Sequence, residues 1–269
     1  MRIVRFEGPD GSPVYGEELA GGQARLLQGD PLAGLIPTGE TLAVVRRLAP
    51  IEPVNIFCIG LNYRAHAEET GAPLPENPVV FMKPTTALNH PDSEIRLPAC
   101  CVHGPEVDYE AELAVVIGKS ATNVSEQDAL DHVLGYSCAN DVSARRWQKH
   151  GGGGQWVRGK SFDSFCPLGP VLVTADEIAD PQVLPLRTRL NGRTMQEGHT
   201  SDMIFPVAKL IHLLSQDTTL LPGTVILTGT PPGVGFARNP PVYLAPGDRI
   251  EVEIEGIGVL ANSVVAAHS

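Results

Sequence analysis

The stretch DYEAELAVVIGK, residues 108–119, constrains the fold most strongly. Side chains on a strand alternate in direction, so residues two apart share a face. Glu110 and Glu112 therefore start a face that continues as Ala114 and Val116, while Tyr109, Ala111, Leu113, Val115 and Ile117 form the other. A strand with one wet face keeps alternating polar and apolar residues. This one turns apolar on both faces within a few positions. The pattern predicts a strand buried on both sides, with two carboxylates at its entrance.

The rest of the chain supports a mostly β protein. Short β pieces such as PVVFMKP, PLGPVLVT, LRTRLNGRTM and TVILTGTP are separated by Pro and Gly. Asn191 and Gly192 in LNGR form the central pair of a tight hairpin. In DRIEVEIEGIGVLANSVV, Ile250, Val252 and Ile254 alternate with Glu251, Glu253 and Glu255, which predicts a half-exposed antiparallel strand with its glutamates in water. SEQDALDHVLG opens with a capping-box pattern from Ser125 to Asp128 and predicts a helix. MIFPVAKLIHLLSQ is apolar nearly all round and predicts a core helix. Residues 1–52 read as a small N-terminal β domain, with strand-like RIVRF and SPVYGEEL followed by the Pro/Gly-punctuated GDPLAGLIPTGE, and residues 53–269 as the main domain. The element order does not repeat as βαβ units.

Composition excludes several partners. The 269 residues carry a formal net charge of −11 and no basic run, so a grip on nucleic acid or on an anionic membrane is not expected. The five cysteines form no C-x-x-C pair and read as small buried hydrophobes in a reducing compartment. The N-terminus MRIVRFEGPDG lacks a signal-peptide core, and no apolar run approaches the ~20 residues of a membrane span. The expected location is the cytoplasm.

Burying an isolated carboxylate costs several kcal/mol unless it is paired or bound to metal. Glu110, Glu112 and Asp141 of CANDVSARRWQ together offer hard oxygen ligands for a divalent cation. Spacing alone leaves a second reading open, a strand end whose glutamates reach solvent or arginines. His66 and Glu69 in LNYRAHAEETG share a face of a helical turn and could form a general-base pair or belong to a charged surface helix. Lys160 in VRGKSFDSF could be a fixed positive charge or a loop lysine. LTGTPPGVG is a strand running into a loop that admits close backbone approach, but it is not a P-loop. The glycines at 151–154 lack a dinucleotide-binding setting, and neither a G-x-S-x-G elbow nor an H-E-x-x-H motif is present.

In order along the chain, GLNYRAHAEE, FMKPTTAL, DYEAELAVVIGK, GYSCANDVSAR, RGKSFDSFCPLGP and TGTPPGVG resemble the fumarylacetoacetate hydrolase superfamily over roughly residues 55–265. The resemblance implies a mixed β-roll around a metal site, a homodimer, and Mg²⁺ or Mn²⁺ on Glu110, Glu112 and Asp141. It also implies a His66–Glu69 pair on a segment that orders over ligand, an active-site Lys160, and substrate contacts from Arg145, Gln148 and Thr230. The implied substrate is a small anionic 2-oxo acid. Hydrolysis of a C–C bond in a 2,4-dioxo acid is the first expectation. Oxaloacetate tautomerisation or decarboxylation is the alternative, and a catalytically idle metabolite-binding protein is the third reading. The longer RWQKHGGGGQWVR stretch departs from the family pattern and reshapes one wall of the pocket.

Overall fold

Strand Ala111–Ile117 is buried at every residue. In the computed structural model, which describes residues 1–267, it lies between Val133–Asn140 and Thr224–Leu227 in a large mixed sheet. Ala111, Leu113, Val115 and Ile117 pack into one apolar cluster, and Ala114 and Val116 into another. The strand is thus buried on both faces by two separate cores. Glu110 lies just before it, in the break after the short strand Val107–Asp108.

The large sheet extends in both directions. Beyond Thr224–Leu227 come the parallel strand Asn55–Gly60 and then Val79–Lys83. Beyond Val133–Asn140 come Cys166–Thr174 and then the N-terminal strand Arg2–Glu7, in antiparallel register with Arg2 opposite Val173. Strands Pro13–Leu19, Gln23–Asp30 and Gly34–Ala43 continue the sheet as a meander. The stretch punctuated by Pro and Gly therefore contains strand, not only turns. Pro37 is tolerated because Gly34–Ala43 is the outermost strand, where a missing N–H need not face a partner.

A second sheet contains the hairpin Pro185–Leu190/Arg193–His199, next to Arg249–Ile254, Gly258–Val265 and Glu94–Arg96. Asn191 (φ 52°) and Gly192 (φ 79°) make the expected tight turn. Ile250, Val252 and Ile254 are buried as the alternation requires.

Three expectations need correction. Ser125 Oγ does accept from Asp128 N (3.2 Å), but only the 3-10 turn Ala129–His132 follows, because the chain then enters the core strand Val133–Asn140. The helix at Val207–Leu214 buries one face, through Val207, Leu210 and Ile211, rather than all round. Cys58, Cys138 and Cys166 are buried free thiols, but Cys100 is exposed.

Candidate active site

Strand register builds the acidic cluster. Ala111 pairs with Asn140, so the next residue on each strand, Glu110 and Asp141, meet where the ladder ends. Asp141 N donates to Glu110 O (2.9 Å), and Asn140 Oδ1 accepts from Glu110 N (3.0 Å). Glu112 lies two residues along, on the same face. Carboxylate oxygens of Glu110, Glu112 and Asp141 all lie within 4.8 Å of one another, and all three residues are buried.

Cations surround two of the three acids. Lys160, at the end of the short helix Val157–Lys160, donates to Glu110 Oε2 and Asp141 Oδ2, both at 2.7 Å. Arg145 Nη1 donates to Glu110 Oε1 (2.6 Å) and to Gln148 Oε1 (3.1 Å). Lys83 Nζ lies 2.6 Å from Asp141 Oδ1. Glu112 has no ion pair among the described residues; Oε2 accepts from Gly229 N (2.6 Å). Gly229 has φ 97°, and a Cβ there would collide with Asn62, so only glycine lets this amide reach the carboxylate.

The titration directions follow this layout. Burial pushes the Glu110 carboxyl up, but Lys160 and Arg145 outweigh it and hold Glu110 well below the usual range. Burial, then Asp141 and Glu110, push Glu112 well above it. Burial lowers Lys160, but Asp141 and Glu110 more than offset this and raise it.

The residues fit a divalent cation. Three close, buried oxygen donors would repel one another, and the cation supplied by the chain stops short of Glu112. Asp141 Oδ1, although beside Lys83, makes no hydrogen bond. Four buried carboxylates, Asp108, Glu110, Glu112 and Asp141, face three buried cations, Lys83, Arg145 and Lys160. A divalent ion would turn that deficit into a surplus suited to an anionic substrate.

Glu110, Glu112, Lys160, Arg145, Gln148 and Thr230 line one cavity of about 200 Å³, as does His66. Helix Arg64–Thr70 forms as expected and buries His66, whose Nδ1 lies 3.2 Å from Glu69 Oε2. That contact assigns the proton to Nδ1 and leaves Nε2 as the acceptor. Glu69 Oε1 accepts from Gly233 N (2.8 Å), tying the helix to the TGTPPGVG loop. Thr230 Oγ1 accepts from Gln196 Nε2 (2.8 Å). Asp141 belongs to the carboxylate cluster but does not line the cavity.

Two supporting residues escaped the sequence reading. Lys83 lies inside FMKP, a string whose charge carries no local sign of burial. Asp108 precedes Glu110 by the same two-residue step as Glu112 follows it, which was a usable signal. Asp108 Oδ2 accepts from Arg145 Nε (2.8 Å) and Phe236 N (2.9 Å), and Oδ1 accepts from Gly235 N (2.7 Å), so it fixes both the guanidinium and the opposite loop.

Known proteins resemble this chain in sequence and fold. Residues 55–265 match the family described as Fumarylacetoacetate (FAA) hydrolase C-terminal, and residues 1–50 match Rv2993c-like, N-terminal. The chain is 43% identical to human "Oxaloacetate tautomerase FAHD2A, mitochondrial", covering 98% of this chain and 92% of that protein. Among solved structures, a fumarylacetoacetate hydrolase from Exiguobacterium antarcticum superposes with a TM-score of 0.89 at 39% identity over 99% of both chains. A 2-hydroxyhepta-2,4-diene-1,7-dioate isomerase from Mycobacterium marinum gives 0.86 at 40% identity over 100% of both. No helix among the described residues is long and apolar enough to cross a membrane. With its two-sided central strand, its carboxylate trio and this likeness over nearly its whole length, the chain belongs to the fumarylacetoacetate hydrolase family.

Proposed function

We propose that this protein catalyses keto–enol tautomerisation of oxaloacetate or a closely similar 2-oxo dicarboxylate. The supporting observation is that His66, paired with Glu69, lines the same cavity as Glu110 and Glu112, in a chain 43% identical to an oxaloacetate tautomerase. Tautomerisation moves one proton between C3 and the 2-oxygen and breaks no C–C bond, so one such pair suffices.

A Mg²⁺ or Mn²⁺ ion held by Glu110, Glu112 and Asp141 would supply Lewis-acid stabilisation of enolate charge. The chain supplies the rest. Arg145, anchored by Asp108, and Lys160, anchored between Glu110 and Asp141, present fixed positive charge at the cavity wall. Gln148 and Thr230 offer polar contacts that orient the acid. In the enol-to-keto direction, His66 Nε2 takes the enol O–H proton and the resulting imidazolium delivers that proton to C3; the reverse direction runs the same transfer backwards. Glu69 keeps the ring oriented while its charge changes.

C–C hydrolysis of a 2,4-dioxo acid is the second reading, favoured by the same histidine–carboxylate pair, which is also suited to activating water. NMR of oxaloacetate and of an acylpyruvate, with Mg²⁺ or Mn²⁺, separates enol-to-keto conversion, cleavage and loss of CO₂. Faster enol–keto exchange with all four carbons retained is the expected result, and His66→Ala should lower it by about 10²–10⁴-fold while metal binding persists. Acylpyruvate cleavage without accelerated exchange would replace the first reading by the second.

A further inference from the structure

The cavity is lined by three side chains with permanent cationic groups, Arg145, Lys149 and Lys160. Arg145 and Lys160 are committed to Asp108, Glu110 and Asp141. Lys149 makes no ion pair or hydrogen bond among the described residues. Its Nζ instead lies 4.0 Å from the centroid of the Phe236 ring. Arg145 Cζ sits 4.4 Å from the same centroid. One ring therefore contacts both the guanidinium that grips Glu110 and an ammonium with no anionic partner among the described residues.

The local structure holds Lys149 there. It lies in the π-helical turn Trp147–Gly151, immediately after Gln148, a wall residue of the cavity. Gly159, next to Lys160, packs on the backbone of Gln148 so closely that a Cβ would collide with it, so the turn bearing Lys149 is seated directly on the turn bearing Lys160. Phe236 is positioned in turn by its own N–H to Asp108. Burial, then the nearby Arg145, lower the Lys149 pKa, which marks an ammonium short of compensating negative charge. A ring face is a weak partner for an ammonium at a partly exposed site, and a carboxylate is a much stronger one.

We infer that Lys149 is the recognition group for the distal carboxylate of the substrate, so that the site selects four-carbon 2-oxo dicarboxylates over 2-oxo monocarboxylates. The assignment rests on the tautomerase reading for the placement of the substrate: its 2-oxo acid end lies toward the carboxylate trio, and its second carboxylate lies at the mouth beside Phe236. Lys149 makes no bond to the reacting atoms; its contribution is to affinity and selection.

The test compares oxaloacetate with 2-oxobutanoate, which has the same carbon chain with a methyl group in place of the distal carboxylate. Affinities are measured by calorimetry with Mg²⁺-loaded wild-type, Lys149→Met and Lys149→Arg proteins. Wild type should prefer oxaloacetate. Lys149→Met should lose about tenfold or more of that preference, the scale of a hydrogen bond to a charged group. Lys149→Arg should retain most of it. Equal wild-type affinity for the two acids, or an unchanged preference in Lys149→Met, overturns the assignment. Exchange rates in the same samples report separately on tautomerisation, so a binding preference without turnover would count against the reaction and leave the recognition role standing.

Discussion

Two stretches of this chain carry glutamates at alternate positions, and they face opposite physical situations. Glu251 and Glu253 lie on the wet face of Arg249–Ile254. Glu253 is bridged by Arg187 Nη2 and Arg189 Nη1, both at 2.6 Å, and Glu251 by Arg189 Nε at 3.0 Å. Each acid there has its cation on the neighbouring strand, and water screens what is left. The hydrogen bond from Arg187 and the pairing with Arg189 overcome slight burial and hold the Glu253 carboxyl at about 2. At the site, Glu110 is similarly paired but buried, and Glu112 is buried with no cation of its own. Alternate glutamates on a surface strand are ordinary cross-strand partners. The same pattern under two cores is an arrangement the chain alone leaves incomplete.

Removing the charge of Glu112 should produce the largest effect. Glu112→Gln is expected to lower activity by at least about 100-fold, through loss of metal affinity. It should also raise the melting temperature of the metal-free protein, by about 2–4 °C for each kcal/mol of relieved repulsion. Calorimetric metal titration and thermal melts check both signs. A variant that binds Mg²⁺ or Mn²⁺ normally, or that melts lower without metal, would remove the contrast with the surface strand.

Next comes the buried pair itself. Lys160→Met leaves Glu110 and Asp141 short of a cation and should destabilise the metal-free protein by about 3–5 kcal/mol in denaturant unfolding. Added divalent cation should recover part of the loss. A cost near that of a surface pair would mean that the interior is better solvated than the burial of these groups implies.

The smallest effect belongs to Glu253→Gln, expected to cost under about 1 kcal/mol because the pair is partly exposed and screened. Its pH dependence has a definite sign. The folded carboxyl titrates near 2, below its usual value of 4.5, so the stabilisation is fully present above about pH 4.5 and disappears as the pH falls toward 2. Melting curves of wild type and variant should therefore converge across that window.

Much of this was legible in the sequence. Unbroken apolarity after Glu112 marked the doubly buried strand. The strand period put Glu110 and Glu112 on one face, the six ordered strings supplied Asp141, Lys160, Arg145 and Thr230, and the family resemblance implied Gln148 by its spacing after Asp141. What escaped depends on pairing between distant segments. The edge of the large sheet to which Arg2–Glu7 attaches is set by Val173 and Leu172, some 170 residues away, and no local pattern encodes it. The Ser125 capping box was correct as a local contact, but the demand of the core for the following strand prevailed over helix growth. Lys149 drew no reading from the sequence, because only the fold brings Phe236 beside it.

Lys83 has a consequence of a different kind. Its ammonium donates to the carbonyls of Val142 (3.1 Å), Lys160 (2.7 Å) and Phe165 (2.8 Å), and lies against Asp141. A group of carbonyl oxygens around a small cation is the coordination sphere of a monovalent ion such as potassium, here filled by an ion that is covalently tethered. A tethered ion has no dissociation constant to satisfy and does not respond to the salt composition of its surroundings. The scaffold beneath Asp141 is therefore always loaded, whatever ions the surrounding solution holds.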